Sequence, residues 1–142
     1  MKPPSFATAP IPEIPTAGTE YQPGVCNIGL AEISRRRRAG YVGLAATVVL
    51  LGVLVAIGAP PLARLIVALP AATAASGYLQ ARLHFCAGFG SRGVFNFGPL
   101  GQTLEVVDSE ARRRDRARAM QIGVASLALG VAAGVAAFLL PL

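Results

Sequence analysis

Charged side chains are missing from three long stretches of the chain, residues 39–63, 65–81 and 119–142, in which Ala, Leu and Val dominate. A helix rises about 1.5 Å per residue, so about 20 apolar residues cross the roughly 30 Å hydrocarbon core of a bilayer. The pattern predicts a first span over residues 41–59, stopped by Gly58, Pro60 and Pro61. A second runs over residues 65–83, bracketed by Arg64 and Arg82, whose long side chains reach toward the headgroups from the span ends. So short a connection makes these two spans antiparallel neighbours in a transmembrane hairpin. Residues 119–142 supply a third span, centred on residues 120–140.

The segments between the spans read differently. Residues 1–25 hold Pro3, Pro4, Pro10, Pro12, Pro15 and Pro23 and read as a disordered tail with no signal-type apolar run. The hairpin unit occupies residues 26–98, and residues 99–118 form a linker and basic helix. In residues 84–107 glycines alternate with Phe85, Phe89, Phe95 and Phe97, and Gly98-Pro99-Leu100-Gly101 is a turn signal between two β-compatible runs, which predicts a short β-ribbon. From Asp108 the acids lead and the arginines follow. Asp108 with Arg112, Glu110 with Arg114 and Asp115 with Arg118 stand at helical pair spacings, so the third helix is expected to extend beyond its span. The fold class is therefore all-α integral membrane: a transmembrane hairpin plus a third transmembrane helix, with a small Gly/Phe-rich segment outside the bilayer.

Composition agrees. Of 142 residues, 54% are hydrophobic and 14% charged, with no Trp, where a typical soluble domain is about 25% charged. The formal charge is +6. In a soluble chain that would suggest nucleic acid, but no aromatic-basic recognition motif accompanies it. The arginines instead cluster as Arg35, Arg36, Arg37 and Arg38 and as Arg112, Arg113, Arg114, Arg116 and Arg118, each run just before an apolar stretch. With the N-terminus in the cytoplasm, every Lys and Arg except Arg64 lies inside, as the positive-inside rule requires, and the chain ends outside. The expected location is the inner (plasma) membrane, and the two arginine runs are candidates for contact with lipid headgroups.

No Asp, Glu, Lys, Arg or His falls in the middle of a span, which argues against a carrier or pump. Small residues recur at packing intervals: Gly123, Gly130 and Gly134 on the third helix, Ala68, Ala72 and Ser76 on the second. Such faces serve either packing within the unit or docking of a larger membrane protein or second copy. Cys26 and Cys86 flank the hairpin and return to the same side, with His84 nearby, and form a candidate thiol site. Cys-x-x-Cys is absent, and two thiols with one imidazole fall one ligand short of a closed zinc site, so neither a metal nor a cofactor is expected.

Asn27-Ile28-Gly29 followed by Glu32, Arg36 and Gly40 reproduces the spacing Asn-Val/Ile-Gly-x-x-acid-x-x-x-Arg-x-x-x-Gly. This resembles the opening of the YgaP-like transmembrane hairpin family, and Phe85-Cys86 with Gly93 is similar to its Phe-Cys-Pro and Gly-Ile-Asn elements. The resemblance spans residues 27–96 and departs at Ala87, where the family has Pro, and at Asn96, which falls later. It implies a membrane hairpin, fused in some members to a sulfur-handling rhodanese domain; none lies within these residues. Physical chemistry gives the same residues structural roles: Asn27 capping a short interfacial helix, Glu32 pairing with Arg36, and Gly29 and Gly40 allowing close approach. Three functions follow as expectations. One is a non-catalytic accessory or assembly subunit of a larger membrane complex; another is thiol-based sulfur transfer or redox work at Cys26 and Cys86. A third is an organiser of anionic lipid through the arginine runs.

Overall fold

The computed structural model describes residues 20–142; the expected disorder of residues 1–19 lies outside them. Helix α1 (Leu30–Ala56) is followed by the short α2 (Pro61–Arg64), a 3-10 turn (Leu65–Val67) and α3 (Ala68–Leu83). The chain continues through α4 (Ala87–Arg92), strands β1 (Val94–Phe95) and β2 (Leu104–Glu105), and α5 (Ser109–Leu139). Three rods, Leu30–Ala56, Pro61–Leu83 and Ser109–Leu139, are long and apolar enough to cross a membrane.

The first rod begins well before the expected span. The interfacial helix expected before the span is continuous with it: α1 starts at Leu30 with Gly29 as its N-cap and no side-chain cap, so Asn27 does not cap it. The arginine run lies on the helix itself. At the other end Gly58 (φ 65°) takes the left-handed position. Gly58 N–H donates to Val55 O and Ala59 N–H to Leu54 O, the paired bonds of a Schellman turn. Pro60 and Pro61 then start α2 in the position where a missing N–H is harmless. The 3-10 turn stands just ahead of Pro70, which has no N–H to bond the previous helical turn.

The α3 rod is central. It packs on α1 and on α5, while α1 and α5 scarcely touch each other. Glycine makes both contacts close. A Cβ on Gly43 would lie 2.6 Å from Ala74 N, and one on Gly77 would collide with the backbone of Gly40. Across the other interface a Cβ on Gly130 would meet Ala72 Cβ at 2.5 Å, and one on Gly134 would meet Ala68 Cβ at 2.9 Å. The third helix thus packs on the hairpin. Gly123 differs from the sequence expectation, since a Cβ there meets nothing within 4 Å among the described residues.

Arg64 also departs from expectation. It does not reach outward but is buried (3% exposed), and its guanidinium donates to Leu140 O and Leu142 O at 3.1 and 3.2 Å. The carbonyls past the end of α5 have no helical partner, and a cation at that end also complements the helix dipole. At the opposite end β1 and β2 pair antiparallel, Val94 with Glu105 and Phe95 with Leu104, as the turn signal predicts.

Candidate functional site

The start of α1, the end of α3 and the start of α5 meet at one end of the bundle. There the buried polar groups gather: Asn27, Glu32, Gln80, Asn96 and Asp115 are each at most 8% exposed. The α3 helix ends at His84, which adopts the left-handed conformation (φ 53°) and turns the chain so that Phe85 N–H bonds back to Gln80 O. Phe85, fully buried, packs against Ala119 and Ile122 of α5. Cys86 then enters α4 as its N-cap, and Gly93 (φ 70°) ends that helix in the conformation glycine favours.

Asn27 holds this corner. Its Oδ1 accepts from Cys86 N–H at 2.6 Å, its Nδ2 donates to Cys86 O at 3.0 Å, and its own N–H donates to His84 O at 3.2 Å. Next to it Ile28 pairs in parallel with Asn96, through Gly29 N–H to Asn96 O (2.9 Å) and Asn96 N–H to Asn27 O (3.0 Å). Gly29 must be glycine here, since a Cβ would sit 2.9 Å from Phe97 Cα. The residues that opened the sequence motif and those that closed it therefore interlock, and Asn96 is the closing partner.

Glu32, 1% exposed, lies one turn into α1. Its Oε2 faces Arg36 Nη2 at 3.7 Å and Arg35 Nη1 at 3.9 Å, and its Oε1 receives Asn96 Nδ2 at 3.5 Å. The Arg36 guanidinium also donates to Cys86 Sγ at 2.9 Å and lies 5.8 Å from the centre of the Phe89 ring. A buried charge needs such a partner set, because an isolated one is expelled or neutralised. The outcome is a thiol, a guanidinium and a carboxylate in line, chemistry that suits either a structural tie or a reactive sulfur.

The expected thiol site, Cys26, Cys86 and His84, falls at this same corner, where Asn27 binds the main chain of both Cys86 and His84. Cys86 is 2% exposed and belongs to an apolar cluster with Ile28, Ile33, Ala81 and Phe89. Cys26, 4% exposed, has its Sγ 3.8 Å from the main-chain oxygen of Ile28. His84 contributes its main chain, and among the described residues no group of three His, Cys, Asp or Glu side chains is placed to hold a metal ion.

The basic helix carries a feature that the charge pattern concealed. Asp108 caps α5 by accepting from Ala111 N–H at 3.0 Å, Arg112 turns to Val106 O, and Glu110 pairs with Arg113 and Arg114, each at 3.4 Å. Asp115 does not pair with Arg118. It is fully buried and accepts from Tyr21 OH at 2.8 Å and Gly24 N–H at 2.7 Å. Tyr21 stacks on Phe95 with ring centres 4.7 Å apart. Residues 20–25 are consequently a strap across α5 rather than the end of a disordered tail. Burial first, then the hydrogen bond to Asp115 and the charges of Asp115 and Asp108, push the Tyr21 phenol well above its ordinary range.

The remaining arginines stay outside this knot: Arg35, Arg37, Arg38, Arg113, Arg114 and Arg116 are exposed, and Arg112 and Arg118 are half-buried. No protein-family model, curated protein or solved structure matches the chain.

Proposed function

We propose that the chain is a three-span protein of the inner (plasma) membrane, with its arginine-rich end in the cytoplasm, acting as a non-catalytic accessory or assembly subunit of a larger membrane complex. The observation that carries this reading is how the chemically capable side chains at the basic end are used. Asn27, Glu32, Asn96 and Asp115 all bind neighbouring segments of the chain, while α1 leaves Val42, Val48, Val49 and Val53 more than half exposed. A rod with so much uncovered apolar surface suits lipid or another span. All arginines but Arg64 stand at one end, which favours that end in the cytoplasm. The YgaP-like resemblance supports the same reading, since Asn27, Ile28, Gly29, Glu32 and Arg36 bind at this corner and Gly40 packs on α3, all structural uses.

The test is genetic removal of the chain followed by assay of membrane-complex assembly. The accessory role predicts that a larger complex fails to assemble and that the Cys86→Ser chain restores it. A second reading rests on the 2.9 Å contact between Arg36 and Cys86 Sγ, which suits a thiol engaged in sulfur or redox chemistry. An activity lost in Cys86→Ser with assembly intact favours that reading and sinks the first.

A further inference from the structure

Because α1 and α5 flank α3 without closing on each other, one side of α3 is left as the floor of a groove. Its volume is about 470 Å3, and its walls include Arg36, Ala72, Ser76, Gln80, Gly123 and Ser126. A second groove, carrying Arg116 at its basic end, shares Gly123 and Leu127 with the first. Gly123, which sequence spacing marked as a packing residue but which the helix packing leaves unused, lies here beside Ser76.

Two chemical zones divide the groove. Along its length the polar side chains are turned inward: Thr73 donates to Leu69 O, Ser126 to Ile122 O, and Gln80 to Ser76 O and Oγ. The walls consequently offer hydrocarbon and satisfied hydroxyls, a surface without a call for a polar partner. At the basic end stands the Arg36 guanidinium, whose Nε is buried with no acceptor. Glu32 offsets one positive charge there, yet Arg35 shares that carboxylate, so the two arginines leave this end positive.

We propose that this groove holds one acidic phospholipid, its phosphate at Arg36 and one acyl chain lying over Gly123 between α1 and α5. The inference rests on the membrane reading above. A phosphate balances the positive charge that Glu32 leaves at this end, and an acyl chain fills a slot whose polar groups are already bonded. A further helix would match this end only by bringing an acidic side chain or its C-terminus to it.

Gly123→Leu is the discriminating variant. It fills the slot, leaves every charge in place and has room for its first carbon, while Gly52→Leu on α1, equally free of neighbours, is the matched control. The probe is phosphatidylglycerol or phosphatidylcholine of identical chains, added to the full chain in detergent and read by native mass spectrometry. The expected result is a single phosphatidylglycerol adduct, favoured about tenfold over phosphatidylcholine, lost in Gly123→Leu and retained in Gly52→Leu. Equal adducts of both lipids, or phosphatidylglycerol binding unchanged in Gly123→Leu, would overturn the proposal and leave adhesion to surface arginines. A dimer broken by Gly123→Leu would overturn it in favour of a second copy. A chain that stays in solution without detergent defeats the membrane reading instead.

Discussion

Asn27 grips the main chain of Cys86 at both its N–H and its carbonyl, at 2.6 and 3.0 Å, across 59 positions of sequence. Both residues are buried, so neither peptide group has water to fall back on. Asn27→Ala should cost about 2 to 4 kcal/mol, from two buried groups left unpaired. Thermal unfolding in detergent, followed by circular dichroism, checks this; an unchanged midpoint would show that the corner is held by other means.

Backbone proximity makes a graded prediction for the glycines. Gly43→Ala drives its methyl to 2.6 Å from Ala74 N and should destabilise by about 1 to 3 kcal/mol through overpacking. Gly123→Ala meets no neighbour and should be neutral or stabilise by up to about 1 kcal/mol, from helix propensity alone. Unfolding midpoints of the pair under one set of conditions give the comparison.

The strap over α5 should loosen at high pH. Tyr21 has its phenol pushed above the ordinary value of 10, so the folded state favours the neutral form. Its contribution is complete below pH 10 and is lost as pH rises above it, because the unfolded chain then releases the proton first. Spectrophotometric titration of tyrosinate should show a late phase from Tyr21 in the native chain. Tyr21→Phe should remove that phase, and its persistence would assign the late phenol elsewhere.

His84 occupies a left-handed position that glycine fills without strain. If its role is conformational, His84→Gly should leave the fold intact and raise stability by about 1 kcal/mol. Loss of folding in that variant would show that the imidazole itself is needed.

Orientation is testable without removing the native thiols, because both are buried. Single added cysteines at Gln102 and at Leu62, both exposed and at opposite ends of the bundle, report on the two sides. A membrane-impermeant maleimide on intact cells should label Leu62→Cys and spare Gln102→Cys until the cells are opened. The reverse pattern would invert the topology.

The helices were legible because charge-free runs of spanning length leave few alternatives, and the β-ribbon because Gly98-Pro99-Leu100-Gly101 is a local signal. Helix starts were harder. The first rod begins at Leu30 because its arginines are compatible with helix, so polarity did not mark the boundary. Asp115 among five arginines read as a surface ion pair, whereas its partners, Tyr21 and Gly24, are 94 and 91 positions away. No local pattern encodes such a contact. Arg64 was misplaced for the same reason: its acceptors, Leu140 and Leu142, come from the far end of the chain. Asn27, Gly29, Glu32 and Arg36 were singled out by the family resemblance, though Asn27 holds Cys86 and does not cap a helix. Their joint use with Cys86 and Asn96 required the fold.

The accessory role is tested most directly by native mass spectrometry of the chain extracted from its own membranes in mild detergent. The predicted result is a stoichiometric complex with a larger membrane protein, with Cys86 carrying no added sulfur. A chain found alone, bearing a persulfide on Cys86, would contradict it.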